Sequence, residues 1–166
     1  MGKDVKRGIM NQKRWSGFRV LIIFALLLNL IMLMGQTGSL IDYGFTVSIG
    51  LQESVEEVTG LGVAWAKGFA FGDTVFYIPL FIIGIAGLFR QKVWGIYSMF
   101  GALAITVYWP SVNLYALFAG KNEINLNPDK YVSFSILLPL IAIYGLWGMW
   151  FLYRNRNTLL KEQIDT

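Results

Sequence analysis

Four long stretches of this chain are almost free of charge, and they limit its fold more than any other feature. They are Phe18–Gly35, Phe69–Phe89, Val93–Gly120 and Tyr131–Tyr153. A helix needs roughly 20 mainly apolar residues to cross a hydrocarbon layer of about 30 Å. Inside that layer only helices and closed barrels satisfy their own backbone polar groups. The runs are too long for barrel strands, so the expectation is an all-α integral membrane protein with four transmembrane helices in a bundle. The expected spans are about 18–38, 69–89, 93–119 and 131–153. Residues 39–68 form an outer helical loop with a short extracytoplasmic helix between the first and second spans. Segments 1–17 and 154–166 are an N-terminal segment and a tail.

Charge placement gives an orientation. Of 14 basic residues, Lys3, Lys6, Arg7, Lys13, Arg14, Arg19, Arg90, Lys92, Arg154, Arg156 and Lys161 fall on the side of the two termini. Asp42, Glu53, Glu56 and Glu57 lie between the first two spans, opposed there by Lys67 alone. The positive-inside tendency predicts a multi-pass protein of the cell membrane with both termini cytoplasmic. The net charge of +4 belongs to helix ends rather than to a patch, so no nucleic acid is expected. The basic start followed by "VLIIFALLLNLIMLMG" also fits a secretory signal. That run is longer than a usual signal core and lacks a small-x-small site, so it is read as the first span.

The chain has no cysteine and no histidine. Thiol chemistry, thiolate metal sites and the commonest general base are absent together. No cofactor is expected and no metal. An intramembrane enzyme would have to work with Asp73 and Tyr77 or Tyr108, or with a hard cation on Glu53, Glu56 and Glu57. Those glutamates lack a metal-loop spacing, so catalysis is the least favoured reading.

Helical spacing assigns faces. On the first span Ala25, Asn29, Met32 and Gln36 align; on the second, Asp73, Tyr77, Leu80, Gly84 and Gly87; on the fourth, Ser135, Pro139, Ala142, Gly145 and Met149. The third span carries two stripes: Tyr97, Gly101, Ala104, Tyr108, Ser111 and Tyr115, and beside it Gly95, Ser98, Ala102, Thr106, Trp109 and Asn113. Small and polar residues collect where membrane helices meet, so both stripes are expected to face protein. Ile96, Phe100, Leu103, Val107, Leu114 and Phe118 are expected to face lipid. In the outer loop, Leu51, Val55 and Val58 oppose Glu53, Glu56 and Glu57, the pattern of a surface helix.

Asp73 and Pro79 are the unusual pair. Gly72 before the acid and Thr74 after it suggest a helix start, with Asp73 as its cap. Pro79, Pro110 and Pro139 interrupt three spans and would splay their outer halves. An outward-facing cleft then gathers Asp73, Tyr77, Tyr108, Trp109, Asn113 and Tyr115 as ligand-binding residues. One carboxylate among aromatic rings suits a lipophilic cation or another amphiphile. The expected function is to bind or transport such a small molecule. The alternative is a structural or accessory subunit of a larger membrane complex. The expected partners are membrane lipids and the lipophilic ligand, with a homo-oligomer or a partner membrane protein completing what four helices alone leave small.

Overall fold

The structure, a computed structural model, describes residues 2–121 and 125–160, with side chains from Trp15 onward. The basic side chains Lys3 to Arg14, and Glu123, Lys161, Glu162 and Asp165, lie outside the described residues. The described chain is helical with no strand. Helix α1 (Gly2–Met32) continues through a π-turn at Leu33–Thr37 into α2 (Gly38–Ile41). A short α3 (Tyr43–Ser48) follows, then α4 (Val55–Gly72), a second π-turn at Asp73–Tyr77 and α5 (Ile78–Phe89). Helices α6 (Val93–Ala119) and α7 (Pro128–Leu159) complete the chain.

Four helical rods, Trp15–Ile41, Val55–Phe89, Val93–Ala119 and Pro128–Leu159, are long and apolar enough to cross a membrane. The second begins well before residue 69. Ser54 and Glu57 form a reciprocal capping box, each side chain meeting the other's backbone, and this starts α4 at Val55. Thr59, at φ 66° and ψ 169°, breaks the rod once. From residue 60 the helix runs on to Phe89. The segment between the first two rods therefore holds two short pieces. Asp42 caps one, accepting from the Phe45 N–H at 2.9 Å, and the other is the first turn of α4.

Close approach of backbones sets the packing. A Cβ on Gly87 would fall onto the Gly95 backbone, and one on Gly84 would sit 2.8 Å from the Met99 Cα and N. Helices α5 and α6 therefore cross almost backbone to backbone, which in lipid replaces the hydrophobic drive that water supplies. Gly145 lets α7 reach the Leu103 carbonyl, where its Cβ would stand at 3.0 Å. Gly148 admits Leu103 and Leu21. Around these contacts Leu21, Ala25, Phe81, Met99, Ala102, Leu103 and Leu152 are fully buried. The Tyr144 hydroxyl ties α7 to α1, donating to the Leu21 carbonyl at 2.8 Å.

On α1, Ala25, Asn29, Met32 and Gln36 are all buried, as are Asp73, Tyr77, Gly84 and Gly87 on the second rod. On α6 the outcome differs from the expected faces. Gly95, Ala102 and Thr106 turn inward together with Met99 and Leu103. Tyr97, Tyr108 and Tyr115 are 72%, 65% and 73% exposed. The helix is rotated so that Leu103, expected toward lipid, fills the groove opened by Gly145 and Gly148.

The glycine crossing yields a direct test. Gly84→Leu should cost about 1–3 kcal/mol through overpacking, read as a lower unfolding midpoint in detergent. Gly68 has nothing within 4 Å of its would-be Cβ. Gly68→Ala should leave the midpoint unchanged or raise it by up to about 1 kcal/mol.

Candidate functional site

The two π-turns lie against each other, joined by Thr37 Oγ1 and Thr74 Oγ1 at 3.0 Å. A π-turn widens the helix by one residue and redirects its carbonyls, and such turns recur at functional sites. The second turn is explained by Pro79. Proline has no N–H to give the carbonyl one turn back, and just before it the Ile78 N–H shifts to the Asp73 carbonyl.

Asp73 is therefore not a helix cap. Gly72 and Asp73 both have ordinary right-handed helical angles, and the chain from residue 60 carries the helix straight through them. The reading failed because this helix already starts at about residue 60, just past the break at Thr59. Asp73 is only 7% exposed, and its Oδ2 is buried without a hydrogen-bond partner. Tyr77, one turn on, is 4% exposed. Its hydroxyl pairs with Thr106 Oγ1 at 2.7 Å, and that hydroxyl lies 2.8 Å from the Ala102 carbonyl.

A cavity of about 210 Å³ lies at the end of the molecule opposite the termini, between the 51–58 segment, α6 and α7. Trp109 and Asn113 line it from α6, with Leu117, Phe134 and Leu138 as apolar wall. Its polar side is Gln36, Gln52 and Glu53. Gln52 is buried and fixed: its Nε2 lies 3.2 Å from the Gly35 carbonyl and 3.4 Å from Gln36 Oε1. Ser39 Oγ donates to the Gln36 carbonyl at 2.8 Å. Asn113 donates to the Trp109 carbonyl at 2.8 Å. This bond holds its amide beside Pro110, where the helix has one backbone donor fewer.

The six residues expected to share a cleft thus divide into three groups. Trp109 and Asn113 line the cavity. Asp73 and Tyr77 are buried in the layer beneath it. Tyr108 and Tyr115 stand on the exposed face of α6 and do not point to either place. The rotation of α6 that buries Leu103 separates them.

Gln52 and Glu53 belong to the cavity although the sequence put Glu53 on a solvated acidic face. Tyr43 explains part of this, since its hydroxyl donates to the Glu53 carbonyl at 2.9 Å and folds the loop inward. The one available signal was Gln52, an uncharged donor inside an otherwise acidic segment. Glu57 is also engaged, accepting from Lys130 Nζ at 2.7 Å and from the Ser54 N–H at 2.9 Å. Its carbonyl accepts from the Asn125 N–H at 3.0 Å. Glu57 thus fastens the start of α4 to the α6–α7 connection. Among the described residues, no group of three His, Cys, Asp or Glu side chains could hold a metal ion.

Burial raises the Glu53 carboxyl above its ordinary value of 4.5, against a smaller lowering by its own backbone and by Lys130. A raised value means the folded state holds this proton more tightly than the unfolded chain. The associated stability is complete below the ordinary value and is lost as pH rises through the raised one. Unfolding of wild type against pH should show this loss, and Glu53→Gln should remove that part of the slope. Glu57→Ala removes the capping box and the ion pair together and should cost about 1–2 kcal/mol, measured as a lower midpoint.

Comparison with protein-family models, with curated proteins and with solved structures finds no match to this chain.

Proposed function

We propose that this is a cell-membrane protein, with four spanning helices bundled and both termini cytoplasmic, that binds or moves a lipophilic or amphiphilic small molecule at its outer end. The single observation that carries this reading is the 210 Å³ cavity with one polar and one apolar side. A head group with hydrogen-bonding capacity meets Gln36, Gln52, Glu53 and Asn113, while its apolar part lies on Trp109, Phe134 and Leu138. The orientation is supported by the basic residues at the terminal end. When ionised, Glu53 favours a cationic head over an anionic one, and Trp109 offers a ring face to the same charge. Asp73 lies near the cavity rather than in it: Gln36 lines the space, and its neighbour Thr37 bonds Thr74.

A second reading has its own observation. The α6 stripe of Tyr97, Ala104, Tyr108, Ser111 and Tyr115 is polar and small, yet exposed. Membrane helices use such stripes to meet other helices, so a homo-oligomer or a partner membrane protein fits against it. This is compatible with the ligand reading.

Both are testable on purified protein in mild detergent. A panel of lipophilic amines should raise the unfolding midpoint of wild type. Gln52→Leu and Asn113→Leu should abolish that response, while Tyr108→Phe and Tyr115→Phe should retain it. A wild-type midpoint unmoved by cationic, neutral and anionic amphiphiles alike would sink the cavity reading. For the second reading, Ala104→Trp should shift the particle mass measured by light scattering toward that of one chain. A wild type already of single-chain mass rejects it.

A further inference from the structure

The two π-turns differ in what surrounds them. In Leu33–Thr37 the Gly35 and Gln36 carbonyls accept from the side chains of Gln52 and Ser39. In Asp73–Tyr77 the Ile78 N–H goes to the Asp73 carbonyl, and Pro79 has no N–H to offer. The Thr74 carbonyl therefore has neither the donor of an α-helix nor the donor of a π-turn. In the residue before it, the Asp73 side chain is more than nine-tenths buried and its Oδ2 has no hydrogen-bond partner. Among the described residues the recorded ion pair is Glu57 with Lys130, so no lysine or arginine neutralises Asp73. Thr37 and Thr74 hydroxyls face each other at 3.0 Å beside it.

What accumulates here is oxygen in excess of donors: a carboxylate, a freed carbonyl and two hydroxyls that share one hydrogen bond. Oxygen-only sets select hard cations. A buried charge is stable when it is paired, and costly when it is not. One formal negative charge calls for one positive charge, since a divalent ion would leave a net charge in an apolar layer. In membrane transporters, backbone carbonyls released where a helix unwinds coordinate sodium.

We propose that Asp73, Thr74 and Thr37 form a binding site for a dehydrated monovalent cation of sodium size, at the contact between the two π-turns. It is a separate site from the cavity and does not rest on the ligand reading. Its position still couples the two, because Gln36 and Thr37 are consecutive: the first faces the cavity and the second faces the ion.

The experiment uses the full chain in detergent, with choline chloride holding ionic strength constant while sodium chloride is titrated. The wild-type unfolding midpoint should rise and saturate with sodium, and respond less to potassium. Asp73→Asn should show no rise. Thr37→Val and Thr74→Val should keep the rise but need about tenfold more sodium for half-saturation, the loss of one ligand contact. Equilibrium binding of radioactive sodium should give one ion per wild-type chain. A flat wild-type response or an unchanged response in Asp73→Asn overturns the proposal. If Asp73→Asn does not fold, an unchanged half-saturation in Thr74→Val overturns it equally.

Discussion

Backbone polar groups inside a hydrocarbon layer must find partners within the protein, because no water is there to accept them. The rods of this chain meet that demand through their own helical bonds nearly throughout. Side chains add bonds to backbone carbonyls at the irregular places. Gln52 and Ser39 donate to the Gly35 and Gln36 carbonyls of the first π-turn. Asn113 donates to the Trp109 carbonyl next to Pro110. Around the second π-turn the accounting stays open at one carbonyl and one carboxylate, and the ion site is proposed there.

The glycines of α5, α6 and α7 belong to the same argument from the packing side. Contacts as close as Gly84 with Met99 and Gly87 with Gly95 close α5 onto α6 in the terminal half of the molecule. At the opposite end Trp109, Phe134 and Leu138 form a wall of the cavity, with Leu51 and Val58 of the outer loop lining it too. Glu57 keeps that loop in place through Lys130 and the Asn125 N–H.

Function, on this view, is carried by two polar layers joined through the first π-turn. The upper layer is the cavity with Glu53. The lower layer is Asp73 with its threonines. Gln36 and Thr37 occupy that turn together, the first lining the cavity and the second bonding Thr74.

Much of the plan was readable before any coordinates. Charge-free length marks four membrane-crossing rods, and helical spacing marks the inward faces of α1 and α5, because both depend on sequence-local geometry. The oddity of Asp73 beside Pro79 was legible too, though its meaning was not. The Ser54–Glu57 capping box stood in the sequence, but only the structure shows that the helix resumes after Thr59 and runs on through Asp73, burying it mid-helix. The rotation of α6 was not legible: its two small-residue stripes are adjacent and either suits a helix contact, so both were expected to face protein. Tertiary packing chose between them: Gly145 and Gly148 open a groove that Leu103 fills, and filling it turns Tyr108 and Tyr115 away from Asn113. The sequence by itself determined how many rods form and which residues are costly to bury. Only the tertiary structure decided which of those residues meet, because that depends on the fit between neighbouring surfaces rather than on order along the chain.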